Sequence, residues 1–105
     1  MYFDEVNKIE NCKNEDEMIK VVEEIGDKIA FRDYEEHQVV LLVNSLLRVD
    51  FLSMKYETRE EILSVLCDAV SNYKISSKID WSSISKIKNR LENDLKEYVD
   101  EFLHN

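Results

Sequence analysis

A chain of 105 residues with no proline and one glycine, Gly26, has few means of turning sharply. An all-β fold needs many tight turns, and those turns rely on glycine and proline for their backbone angles. The scarcity points instead to helices joined by short links. The length is that of one domain, spanning residues 1–105, and such a chain buries a core without disulfide or metal staples. With 44% hydrophobic and 35% charged residues, it has the composition of a folded helical domain rather than a disordered segment.

Residues 33–52 are the most apolar stretch and predict a central helix. Val39, Val40, Leu41, Leu42 and Val43 run without a polar break, and Leu46, Leu47, Val49, Phe51 and Leu52 follow. A helix that is apolar over most of its circumference is flanked on several sides. Asp33 and Glu36 stand at capping-box spacing at its start.

Upstream, residues 2–11 predict a short helix through Phe3, Val6 and Ile9, with Cys12 extending the stripe. Asn14 and Glu17 repeat the capping spacing and open a second helix. Its buried face is Met18, Val21, Val22, Ile25 and Ile29. Gly26 lies inside that pattern, and Ile29 and Ala30 keep the phase, so the helix is expected to continue through the glycine. A glycine there also lets a second helix approach closely.

Downstream, Thr58 and Glu61 form a third capping pair for a helix over residues 58–73, burying Ile62, Leu63, Leu66, Ala69, Val70 and Tyr73. Ser76 and Ser77 interrupt the pattern. Asp80 then caps a last helix over residues 81–103, where Ile84, Ile87, Leu91, Leu95, Tyr98, Val99 and Phe102 follow a 3.6-residue period. About five helices result. The fold class is all-α, arranged as a compact bundle or as a HEAT-like stack of helical pairs. The pairs Glu35-Glu36 and Glu60-Glu61 each precede an aliphatic run, too slight a likeness to define a repeat.

Cys12 and Cys67 have no Cys-x-x-Cys spacing and read as small core residues of a reducing compartment, with a single disulfide between them as the alternative. The N-terminal sequence lacks the basic start and apolar run of a signal peptide, and no apolar run approaches a membrane span. The expected location is the cytoplasm, with no membrane partner.

Catalytic and metal signals are sparse. Glu101 and His104 have the Glu-x-x-His spacing of a metal pair, without the second pair that a two-metal site needs. His37 follows Glu35 and Glu36 with no nucleophile beside it in sequence. One glycine cannot build a phosphate-binding loop. No cofactor, metal or catalytic residue is therefore assigned, and the chain reads as a non-enzyme.

Charge is the more informative property. The formal net charge is −9, a field that repels nucleic acid and attracts basic partners. Lys74, Lys78, Lys86, Lys88 and Arg90 cluster against Asp80 alone; such a strip could touch RNA or an anionic ligand, but these residues are expected to pair with acidic helices of the same molecule or to be solvated. The opposite case is the run Glu23, Glu24, Asp27, Asp33, Glu35 and Glu36, with Tyr34 among the acids. Glu23, Glu24 and Asp27 share one polar helix face, and Tyr34 is the expected aromatic anchor. These seven residues form the candidate partner-binding surface.

The acidic run from Glu23 to Glu36 and the series of capped helices from Asn14 to Leu103 resemble, in size, charge and helicity, the small acidic immunity proteins of bacteria. Those proteins are cytosolic and neutralise a cognate toxin, often a basic nuclease. The resemblance implies a protein-binding inhibitor that covers a toxin's active or substrate-binding surface. It carries no shared motif, so no functional residue is transferred by it. The alternative is a self-associating helical adaptor that dimerises through residues 39–43.

Overall fold

The computed structural model describes residues 4–104. Six helices occupy them: α1 (Asp4–Glu10), α2 (Glu15–Ala30), α3 (Glu36–Leu47), α4 (Tyr56–Asn72), α5 (Ser82–Ile87) and α6 (Asn93–Leu103). Short 3-10 turns lie at Phe51–Ser53, Ser76–Lys78 and Lys88–Arg90. No strand occurs among the described residues, and the fold is all-α. The Tyr2 and Phe3 portion of the expected first helix lies outside them.

Capping chemistry sets the helix starts, though not always with the expected residues. At α2, Asn14 Oδ1 accepts the Glu17 N–H at 2.9 Å, and the Glu17 carboxylate accepts the Lys13 N–H at 2.8 Å. At α3 the expected Asp33–Glu36 pair is replaced two residues on. Gln38 Oε1 accepts the Glu35 N–H at 2.9 Å, so Glu35 is the cap. The reason is the end of α2. Arg32 takes a left-handed backbone, φ 56°, and the Arg32 and Asp33 N–H groups bond the Ile29 and Lys28 carbonyls. This Schellman closure consumes Asp33 as part of the turn out of α2.

At α4 the expected Thr58 cap is also displaced. Lys55 is the cap residue and Thr58 is buried inside the first turn. Its hydroxyl donates to Glu15 Oε1 at 2.7 Å, and the Lys55 N–H donates to the same oxygen at 2.8 Å. A side chain from α2 therefore caps α4.

That contact fixes direction. The starts of α2 and α4 meet at Glu15 and Thr58, and beyond the helix ends the Tyr73 hydroxyl donates to the Tyr34 carbonyl at 2.9 Å. Midway, a Cβ added at Gly26 would sit 3.1 Å from Val65 Cγ2. The two helices run parallel and close together, with Gly26 allowing the approach. The same holds between α4 and α6. Arg59 pairs with Glu92 at 2.8 Å near their starts, and Cys67 Sγ contacts the Tyr98 carbonyl at 3.3 Å further along. Helix α1 runs the other way, since Lys28 near the end of α2 pairs with Glu5 in its first turn at 3.6 Å. Helix α3 shares that direction, because Arg48 and Glu10 meet at 3.5 Å where α3 and α1 end.

The result is two layers: α2, α4 and α6 side by side in one, α1 and α3 in the other. Neighbours within a layer are two apart in sequence, as in stacked helical pairs, and not consecutive as in an up-and-down bundle. One hydrophobic cluster runs from Ile9 to Phe102, with Val22, Ile29, Leu42, Leu46, Ile62, Leu66 and Leu95 fully covered at the layer junction. The shortest dimension, 21 Å, is that of two helix diameters.

Two expected helices are shorter than their apolar patterns. The central one ends at Leu47, and Phe51 is buried from a 3-10 turn instead. The last is broken into α5 and α6 by the turn Lys88–Arg90. Trp81 stacks on Phe102 with ring centroids 4.8 Å apart. A continuous helix would hold those residues about 30 Å apart, so the chain doubles back. Lys88 pairs with Asp100 across the same fold. Ile84, Leu91 and Leu95 are all buried, which is why the period persists across a break that it does not reveal.

Candidate functional site

The layer of three parallel helices turns its outer surface to solvent, and that surface is acidic. The open face of α4 carries Glu57, Glu60, Glu61 and Asp68, spaced so that they share one side. On one flank α2 contributes Glu23 and Asp27, which act electrostatically on Glu61. On the other, α6 contributes Asp94, Glu97 and Glu101, which with Glu60 and Tyr98 line a groove of about 270 Å³.

Two acids of this face, Glu61 and Asp68, have raised carboxyl pKa values. Partial burial pushes the Glu61 carboxyl above its ordinary value, and Glu23, Glu60, Asp27 and Asp68 add to the shift. Burial raises Asp68 as well, with Glu101 adding to it. The Tyr56 hydroxyl is hydrogen-bonded to Asp94 and lies 3.3 Å from Glu60. Its bond to Asp94 is the largest cause of a raised tyrosine pKa. The carboxylates acting on Glu61 add like-charge repulsion to the larger effect of its burial.

The seven residues expected to form the partner surface are divided by the fold. Glu23 and Asp27 face α4, whereas Glu24 acts on Tyr34 on the other side of α2. Asp33, Glu35 and Glu36 are exposed at the α2–α3 corner. Glu35 lies 3.4 Å from His37, and Glu36 pairs with Lys78. Two of the five residues of the basic strip, Lys78 and Lys88, pair within the molecule as expected. Tyr34 is a correction. It is only 8% exposed, its ring beneath Lys28 at 5.8 Å, so it has little surface for a partner. The exposed aromatic of this region is Phe31, at 78%. Val39, Leu42 and Val43 are buried, leaving Leu41 as the exposed member of that run.

Neither thiol is activated. Burial pushes Cys67 up to about 12, with Glu101 and Asp68 contributing, and burial followed by Glu17 raises Cys12. Both stay protonated at neutral pH and are free of disulfide. No group of three or more His, Cys, Asp or Glu residues among the described residues is arranged to hold a metal ion. No helix among them is long and apolar enough to cross a membrane.

Sequence reasoning missed Glu60, Glu61, Asp68, Asp94, Glu97 and Glu101 as one surface. The Glu60-Glu61 pair was visible, but only the parallel alignment of α4 and α6 joins it to the acids of α6. No protein-family model, curated protein or solved structure matches the chain.

Proposed function

We propose that this chain is a binding protein that captures a basic protein partner on the outer face of α2, α4 and α6. A bacterial toxin domain with a cationic active surface, such as a nuclease, is the partner class that this reading favours. The chain would then act as its immunity protein by covering that surface. The observation that carries the proposal is the gathering of Glu57, Glu60, Glu61 and Asp68 on one side of α4 beside a groove lined by Glu60, Asp94, Glu97, Tyr98 and Glu101. Such a face costs the free protein repulsion that a cationic partner relieves, and it also speeds encounter by steering. Phe31, standing clear of the surface near the end of α2, supplies the aromatic contact that interfaces concentrate their energy in.

The experiment is capture from the native cell on immobilised wild-type protein and on a Glu60→Lys, Glu61→Lys variant. A basic protein retained by the first and lost from the second is expected, with association slowing as salt rises. Retention of the same partner by both, or a partner that is itself acidic, defeats the assignment. Self-association is the second reading, favoured by the exposure of Phe31 and Leu41. The net charge of −9 opposes it, because like surfaces repel.

A further inference from the structure

Helices α2 and α4 end side by side, and the segments that follow them frame a groove of about 530 Å³. Arg32 and Lys74 line it, with Ser71, Asn72, Ser76 and Ser77. No carboxylate does. On a chain of net charge −9 that is a departure from the rest of the surface. Four other grooves include carboxylates, among them Asp50, Glu36, Glu60 and Glu17.

The groove is held in shape. The Tyr73 hydroxyl donates to the Tyr34 carbonyl at 2.9 Å, tying the segment that carries Arg32 to the one that carries Lys74. Arg32 is the one non-glycine residue with a positive φ among the described residues. That conformation costs a side-chain-bearing residue about 1–2 kcal/mol, and glycine is its usual occupant at a Schellman closure. A glycine here would spare the strain but lose the guanidinium. Arg32 and Lys74 each follow the C-terminal end of a helix, where a partial negative charge favours a cation.

We propose that this groove binds a phosphate group. Arg32 offers a planar fork of N–H donors and Lys74 a compact charge. The hydroxyls of Ser71, Ser76 and Ser77 supply neutral donors for the remaining oxygens. Phosphate suits this set better than a carboxylate does, because it brings three acceptor oxygens and close to two negative charges. The site is separate from the acidic face and stands or falls independently of the partner assigned to it.

The test is a titration of the full chain followed by amide chemical shifts. The probes are inorganic phosphate and glycerol 3-phosphate, with chloride at matched ionic strength as the reference. Saturable shifts confined to residues 32–34 and 71–77 are expected. Arg32→Gln and Lys74→Gln should each weaken binding about tenfold, the effect of losing one charge-assisted contact. Lys74 lies on an exposed turn, so its variant keeps the test valid if the Arg32 corner rearranges. Tighter binding of the ester assigns the groove to phosphorylated small molecules, and equal binding assigns it to free phosphate. Shifts that match the chloride reference, fail to saturate, or persist in both variants overturn the proposal.

Discussion

Glu15 and Thr58 meet at 2.7 Å although 43 residues separate them in the chain. The contact sets the register of two parallel helices and caps the second with a side chain from the first. Thr58 is 1% exposed, so its hydroxyl has no water to turn to. Thr58→Val keeps the shape and removes the donor. It should cost about 1 kcal/mol, or about 5 °C in Tm for a domain of this size. Glu15→Ala removes the acceptor of both bonds and should lower Tm more than Glu15→Gln, which keeps a carbonyl oxygen in place.

The same carboxylate gives a pH signature. The Thr58 hydroxyl, then the Lys55 N–H, hold the Glu15 pKa below its ordinary value. A depressed acid contributes stability above its unfolded pKa and loses it as pH falls through the folded one. The Tm gap between wild type and Glu15→Ala should therefore be full at neutral pH and close below about pH 4. A gap that stays constant on the acid side would show that the ionised form is not what α4 requires.

Glu61 has the opposite sign. Its folded pKa is raised, chiefly by burial and then by Glu23, Glu60, Asp27 and Asp68. The folded state binds the proton more tightly, so ionisation costs stability above the folded pKa. The cost disappears as pH falls to the unfolded value. Glu61→Gln should stabilise the protein at pH 7 by a few tenths of a kcal/mol, the scale of like-charge helix pairs, with the gain gone near pH 4. The same variant should bind a basic partner more slowly. Greater stability with poorer binding is the signature of a surface kept for use rather than for folding.

Gly26 of α2 packs against Val65 of α4. Alanine favours the helix by about 1 kcal/mol over glycine, but its Cβ would stand 3.1 Å from Val65 Cγ2. The two effects oppose each other, and Gly26→Ala should leave stability nearly unchanged. In a Val65→Ala background the obstruction is gone, and Gly26→Ala should become stabilising by most of that amount. Gly26→Leu should cost about 1–3 kcal/mol through overpacking. Chemical denaturation of the four variants and wild type settles the cycle.

The helices themselves were legible in the residues. Asn14 caps α2 as its spacing indicates, and Gly26 sits inside the helix because Ile25 and Ile29 stay in phase across it. The displaced caps were not legible, because Asp33 is taken up by the Arg32 turn and Glu15 acts on α4 from another helix. Local spacing contains neither fact. The candidate surface suffered similarly. Acids adjacent in sequence, Glu23 and Glu24, face different neighbours, while Glu23 of α2 and Glu101 of α6 act on the α4 acids Glu61 and Asp68. Tyr34 looked like an anchor because acids surround it in the chain, but its ring packs inward.

The break between α5 and α6 is the largest departure from the periodic reading, and it rests on the Trp81–Phe102 stack. Trp81 is further held by its indole N–H, which donates to the Ser76 carbonyl at 3.0 Å. Phe102 is fully buried. Phe102→Ala should cost about 3–5 kcal/mol, the range for removing a buried aromatic. It should also release Trp81, the only tryptophan, to water. A red shift of its emission in the still-folded variant is the expected readout. Phe102→Leu keeps most of the apolar volume but not the stacking, so it should lose less stability while showing the same direction of shift. If tryptophan emission stays unchanged in both variants, α5 and α6 do not fold back on each other and the chain here is one long helix after all.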